Sequence, residues 1–502
     1  MPAGRRCRIK TVNRALLQCV ACVAGALILA ACRESAPPRD DQPANLVLIN
    51  IDALRADHLG CYGYGRSTSP VIDRLAAAGV VFADAASNSS YTRESVSVLL
   101  TGTLPSHAGA TGWDAHPGGA SPTLAEVLRG AGYQTAFFDL TAMLMHKDFE
   151  RGVDQVDHLM KRGRASGLGP QLSQRALDWI AGLDPQRRFF VYLHYLDPHG
   201  PYDPPRDALE HMGGDPLAMP LDLYRDLRPN LPALRRQGFN PGSPDFEDVV
   251  RHYDAEVFDT DRAIDQLVEG LRRRGVLEKT LIVVTADHGE EFLEHDFVEH
   301  SWTLYEESLH VPLIFWAPAR LASGRVEARV STVDVYPTVL DLLGVNHPGA
   351  ALDGVSLFAS RDGRRRPADL GSREQISELL ITERNVLRAV RKDNWKYLST
   401  LRWLAPEERA AAAASSEADH TEIVGPPIDL WALPIREELY DLRRDPGETR
   451  NLVASEPLVA REMSQVLFEY QRHCTVPSAV PRTLTAEEAE AMRVLGYGGP
   501  GR

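Results

Sequence analysis

Short apolar runs alternate with amphipathic segments through roughly the first 350 residues. Asn45 to Ile51, Gln134 to Phe138, Phe189 to Leu196, Leu281 to Thr285 and Val311 to Trp316 are apolar almost throughout and read as buried strands. Between them, Ser121-Pro122-Thr123-Leu124 opens a helix with a cap residue and a proline in its first turn. Val250, Tyr253, Val257, Ile264, Leu267 and Leu271 keep helical spacing, and Gly275 supplies a stop. This long helix runs straight into the strand before Asp287-His288. The alternation predicts an α/β fold, a mostly parallel sheet flanked by helices on both faces. Two stretches interrupt it. Pro204 to Asp245 is rich in Pro, Gly and polar residues and reads as a lid over a site or as a solvated excursion, and Leu404 to Ile435 carries an Ala/Ser/Glu run. From about Asp362 the pattern weakens to short strands and terminal helices, which predicts a catalytic domain over 45–361 and a smaller C-terminal α+β subdomain over 362–502.

The N-terminus changes where the chain is expected to work. A basic start is followed by an apolar run from Ala15 to Ala31 and then by Leu29-Ala30-Ala31-Cys32, which resembles a bacterial lipobox. Residues 1–31 are therefore expected to be a lipoprotein signal peptide, and 32–44 a lipidated cysteine with a short tether. That places the rest outside the cytoplasm on the cell envelope. Arg33 is not the Asp associated with inner-membrane retention, so the outer membrane is preferred. With 44% hydrophobic and 25% charged residues the remainder has a globular composition. The formal charge is −14, and cleavage would remove Arg5, Arg6, Arg8, Lys10 and Arg14 as well; so acidic a surface argues against nucleic acid as a partner. Only Cys61 and Cys474 remain beyond Cys32, and they are expected as buried thiols rather than a disulfide framework.

Candidate chemistry sits at strand ends. Asp52 follows Leu46–Ile51, and Asp287-His288 follow Ile282–Ala286, the positions that face the ligand crevice of an open α/β sheet. An adjacent Asp and His supply one oxygen and one imidazole ligand, and Gly289 permits a sharp turn.

Asp52-Ala53-Leu54-Arg55-Ala56-Asp57-His58-Leu59-Gly60 resembles the opening metal motif of the sulfatase branch of the alkaline phosphatase superfamily, with Ala53 where a second Asp is usual. Thr285-Ala286-Asp287-His288-Gly289-Glu290 resembles that family's second metal motif, and Asp197-Pro198-His199-Gly200-Pro201-Tyr202 its substrate-side histidine loop. Trp395-Lys396-Tyr397, Glu438-Leu439-Tyr440-Asp441 and Leu495-Gly496-Tyr497 resemble its C-terminal markers. Tyr91-Thr92-Arg93-Glu94-Ser95-Val96 aligns with the nucleophile segment, usually Cys (or Ser)-x-Pro-x-Arg, in which Cys or Ser becomes formylglycine. Thr92, Glu94 and Val96 occupy the three defining positions, so no formylglycine is expected.

The resemblance implies one divalent cation held by Asp52, Thr92, Asp287 and His288, with Mn, Zn, Mg and Ca all left open. A second ion on Asp197, His199 and His300 is one reading; His199 and His300 contacting the transferred group or protonating the leaving oxygen is the preferred one. Arg93 and Lys396 are candidate substrate anion contacts. Asp57 and His58 are expected to cap the helix after the first strand, and His107 is as much a structural as a catalytic candidate. A threonine has no second hydroxyl with which to expel sulfate. The expectation is therefore a hydrolase or transferase of phosphate esters with Thr92 as nucleophile, acting on an envelope lipid or polymer. A sulfuric ester hydrolase without formylglycine, and a non-catalytic binding lipoprotein, are the alternatives.

Overall fold

The structure is a computed structural model that describes residues 44–474 apart from 113, 160–166, 215–226, 348, 350, 362–363, 383–384 and 404–431. The segments expected to be signal peptide and tether, up to residue 43, the Leu495-Gly496-Tyr497 marker and most of the Leu404 to Ile435 stretch lie outside the described residues.

Eight strands form the main sheet: β1 (Asn45–Ile51), β2 (Val80–Ala86), β3 (Gln134–Asp139), β4 (Gln155–His158), β5 (Phe189–Tyr195), β6 (Thr280–Ala286), β9 (Leu313–Trp316) and β10 (Gly324–Ser331), in the order β10-β2-β9-β6-β1-β5-β3-β4. The two-stranded pair β7 (Glu291–Phe292) and β8 (Val298–Glu299) lies between β6 and β9 in sequence. All pairs in the main sheet are parallel except the two made by β9, which runs antiparallel to β2 and β6. The mostly parallel α/β sheet expected from the apolar runs is thus present, with β9 reversed and with β2, β4 and β10 unforeseen. Each of these three mixes charged residues into its run, as with Asp84 in β2.

Pleating divides the central strands between two cores. Val47, Ile49 and Ile51 of β1 pack with helices α1 (Pro70–Ala78), α5 (Gly169–Ala181) and α6 (Pro244–Arg273). Leu46 and Leu48 pack on the other side with α2 (Thr92–Thr101), α4 (Leu124–Gly130) and α7 (Val335–Leu342). Helix α4 follows the short α3 (Pro105–Ala108). Its cap is Thr123, in a capping box with Glu126, rather than Ser121, so Pro122 precedes the cap instead of filling the first turn. Helix α6 spans the predicted periodic segment, and Gly275 beyond it takes the left-handed φ of +69° that ends it.

Beyond β11 (Phe358–Arg361) and β12 (Arg364–Pro367) an antiparallel sheet of β13 (Gln375–Thr382), β14 (Asn385–Lys392), β15 (Trp395–Trp403) and β16 (Ala432–Asp441) forms the C-terminal part. Ile376, Val390, Tyr397 and Leu439 from this sheet share a core with Met463 and Leu467 of α8 (Pro457–Gln471) and with Val98 of α2. The second sheet therefore packs directly on the helix that begins at Thr92. Cys61 and Cys474 are free thiols, each partly rather than fully buried. Among the described residues no helix is long and apolar enough to cross a membrane.

Candidate active site

Neighbouring strands β5, β1 and β6 deliver the site. Ile51 pairs with Ala286, so Asp52 and Asp287 leave the sheet side by side, and Asn50 pairs with His194 on the opposite flank. Asp52 spends Oδ2 on His194 Nε2, 3.0 Å away, while its Oδ1 has no hydrogen bond. Asp287 receives the amides of His288 at 3.0 Å and Ala53 at 3.4 Å on Oδ1, and its Oδ2 has none. Ala53 reaches Asp287 from a left-handed φ of 56°. Both carboxylates are buried. Buried carboxylate oxygens without donors are costly, and a cation is the partner that would satisfy both.

His288 adds nitrogen to this set. Its Nδ1–H donates to Gly289 O at 3.0 Å, which turns the Nε2 lone pair inward. Nε2 stands 3.5 Å from Asp52 Oδ1, 3.6 Å from Asp287 Oδ2 and 3.2 Å from Thr92 Oγ1. A Cβ at Gly289 would collide with the Glu307 carbonyl, which explains the glycine after Asp287-His288. Burial, and then the Asp52 charge, push the Asp287 carboxyl upward. Burial acts the same way on Asp52, but His199, His194 and His288 together hold it below the ordinary carboxylate range. Two oxygens, an imidazole nitrogen and the Thr92 hydroxyl make a donor set that fits one divalent cation. Asp52, His194 and Asp287 converge as well, with His194 Nε2 bonded to Asp52 rather than free for an ion.

Thr92 is the first residue of α2, where the positive end of the helix dipole lies. The approach to it is pinned from several sides. The Ser87 hydroxyl shares its one proton between Asp287 O and, at 2.7 Å, Ser89 O. Glu94 accepts from Ser89 Oγ and Gly112 N, both at 2.6 Å, and burial pushes its carboxyl up to about 8. Arg93 is buried with Nε outside any hydrogen bond and Nη1 3.7 Å from Asp114. Val96 faces the core with Leu99 and Leu100.

His300 and His199 extend the row of imidazoles. The His300 ring lies 4.2 Å from that of His288 and 4.7 Å from that of His199, centroid to centroid. Glu290 Oε1 holds His300 Nδ1 at 3.0 Å, and Gly200 O holds His199 Nδ1 at 2.6 Å. Asp52, Thr92, Asp287, His288, His300 and His199 thus come together as the sequence suggested. Lys396 does not join them. It is buried on β15 between Glu306 at 2.9 Å and Glu448 at 2.8 Å, so its charge is already neutralised rather than offered to an anion. His58 bonds Asp254 of α6 at 2.7 Å, and Asp57 pairs with Arg55, so neither is a helix cap. The site residue that sequence reasoning missed is His194. Its signal was an ionisable residue inside the apolar run Phe189–Leu196, three positions before Asp197.

The family description "Sulfatase" matches residues 44–345. Human arylsulfatase A is 26% identical over 488 aligned residues, covering 86% of this chain and 87% of its own. A solved structure in complex with D-glucosamine-2-N,6-O-disulfate, described as its substrate, superposes with a TM-score of 0.66 at 19% identity, covering 86% of this chain and 98% of that one. The phosphonate monoester hydrolase of Agrobacterium radiobacter superposes with a TM-score of 0.62, also at 19% identity, over 86% of this chain and 96% of its own. With the matched segment running from the first strand through α7 and enclosing every residue of the cluster, this chain belongs to the sulfatase family.

Proposed function

We propose that the chain is a metal-dependent hydrolase or transferase of phosphate esters, monoester or diester, with Thr92 as its nucleophile. The observation that carries this reading is the Thr92 hydroxyl oxygen, 3.2 Å from His288 Nε2 and next to buried oxygens of Asp52 and Asp287 that have no hydrogen bond. Asp52, Asp287, His288 and Thr92 would hold one divalent cation of the Mn, Zn, Mg or Ca class. Such an ion, when bound, supplies a lowered pKa at the hydroxyl and a counter-charge for the transferred group.

Everything else falls to the chain itself. Once ionised, Thr92 Oγ1 bonds to phosphorus as the ester P–O bond breaks. The dipole at the start of α2 and the buried Arg93 guanidinium favour the anionic group. His199 and His300, each held through Nδ1, would give the leaving oxygen its proton through Nε2. Water, or an acceptor alcohol in a transferase, then attacks phosphorus and restores Thr92. A phosphothreonine is resolved by such a second in-line attack. A sulfothreonine lacks the geminal hydroxyl that lets a formylglycine hydrate expel sulfate, and this favours phosphorus over sulfur. The similarity to arylsulfatases supports the second reading, sulfate ester hydrolysis by the unmodified threonine.

A paired assay separates the two. Metal-reconstituted protein is given aryl phosphodiester, phosphomonoester and sulfate substrates beside the Thr92→Ala variant. Phosphate ester turnover that falls at least ~1,000-fold in the variant is the expected result. Sulfate turnover that needs Thr92, with no phosphate ester turnover above background, would replace the phosphorus reading with the sulfate one.

A further inference from the structure

A second group of metal-type side chains lies outside the cluster described above. The loop after α3 carries His116, and the turn after β3 carries His146 and Asp148. The two imidazole rings stack with centroids 4.3 Å apart and planes 22° from parallel. Both Nδ1 atoms lie near one carboxylate oxygen: Asp148 Oδ2 is 2.8 Å from His116 Nδ1 and 3.7 Å from His146 Nδ1, which also accepts the Asp148 amide at 3.3 Å, a bond that an ion at Nδ1 would displace. Despite the 2.8 Å approach, the buried His116 Nδ1 makes no hydrogen bond, so the contact lies off the N–H direction. A tetrahedral zinc ion at ordinary bond lengths holds its ligand atoms roughly 3.4 Å apart, between the two spacings found here.

We propose that His116, His146 and Asp148 form a second divalent-metal site, specific for a borderline ion such as Zn²⁺ or Co²⁺. Two imidazoles and one carboxylate suit these ions, whereas Ca²⁺ and Mg²⁺ require oxygen-rich sets. The site shares no residue with Asp52, Thr92, Asp287 and His288 and stands whether or not the phosphate ester reading does. Its position gives it a role. Between Gly109 and Ser121 the His116 loop passes over the first turn of α2, where Gly112 N donates to Glu94 at 2.6 Å and Asp114 approaches Arg93 at 3.7 Å. An ion joining His116 to His146 and Asp148 fastens that loop to the end of β3 and fixes the wall beside Thr92.

The test counts ions on the full chain. Protein stripped with chelator is titrated with Co²⁺ and then Zn²⁺, alongside D52N/D287N, H116A/H146A and the fourfold variant. Two ions per native chain, one in each double variant and none in the fourfold variant are expected. Zn²⁺ should also raise the thermal midpoint of D52N/D287N by several degrees and leave that of the fourfold variant unmoved, a readout that needs no activity. Asp148→Asn, which keeps both imidazoles, guards against a variant that merely fails to fold; in the D52N/D287N background it should weaken Co²⁺ binding at least tenfold with an unchanged circular dichroism spectrum. No ion in D52N/D287N, or an ion retained after H116A/H146A is added to it, overturns the proposal.

Discussion

Asp52 keeps one carboxylate oxygen for a ligand because His194 occupies the other. Asn50 Nδ2 donates to His194 Nδ1 at 3.1 Å, and the Tyr192 hydroxyl stands 3.0 Å from the same nitrogen. The ring proton therefore sits on Nε2 and points at Asp52. Burial lowers the His194 pKa, but the bond to Asp52 outweighs it and the net direction is upward. His194 is thus a positioning residue, and its loss should be felt at the metal. His194→Ala is expected to weaken divalent-ion affinity ~10–100-fold, with His194→Gln recovering part of the loss through its amide donor. Competition against a fluorescent chelator measures this, and an alanine variant with native affinity would remove the role. Asp52, Asp287 and His288 were legible in the sequence because strand ends announce themselves where an apolar run stops. His194 was not, because its meaning depends on the register that sets it opposite Asn50 on a neighbouring strand. Lys396 misled for the converse reason: nothing local says that Glu306 and Glu448 close on it from distant segments.

Elements show the same division between local and distant causes. Fully apolar runs located five strands of the main sheet, but a four-residue run such as Leu313–Trp316 reads identically in either direction, so the reversal of β9 was invisible. Short helices are tied down by partners far along the chain. Helix α3 is one turn long and cannot hold itself; His107 on it bonds Asp353 at 2.8 Å and lies against the Tyr470 ring of α8, 4.8 Å between centroids. Burial lowers the His107 pKa, but the Asp353 bond outweighs this and raises it from 6.5 to about 10. Because the folded value is the higher, the pair stabilises fully below pH 6.5, and the contribution is lost as pH rises through about 10. His107→Gln should therefore show its largest urea-midpoint deficit near pH 6 and almost none near pH 10.5. A deficit that stays constant across that range would assign His107 to packing alone.

The two sheets meet at Asn88, four residues before Thr92. Its side-chain oxygen accepts from Ser331 Oγ at 2.8 Å, Thr332 Oγ1 at 3.0 Å and Val333 N at 2.9 Å, all where β10 passes into α7. Its amide nitrogen donates to Ile376 O of β13 at 2.7 Å, and its own carbonyl receives Glu378 N at 2.8 Å. Next to it, Ser377 Oγ donates to Ser87 O at 2.7 Å, and Ser87 Oγ in turn donates to Asp287 O. A continuous path of hydrogen bonds thus runs from the C-terminal sheet through Ser87 to the backbone carbonyl of Asp287, and the Ser87–Ser90 segment leads directly into Thr92. The second sheet packs on the helix that begins at Thr92 through Val98 as well. Asn88→Ala leaves Val333 N and Ile376 O buried without partners, at a cost of ~3 kcal/mol or more. If the path positions Thr92, kcat should fall at least ~10-fold beyond what the fraction unfolded accounts for, while divalent-ion affinity changes little. Urea midpoint, ion affinity and kcat on one preparation distinguish the cases. A lowered midpoint with native kcat would mean that the C-terminal sheet braces the fold without positioning Thr92.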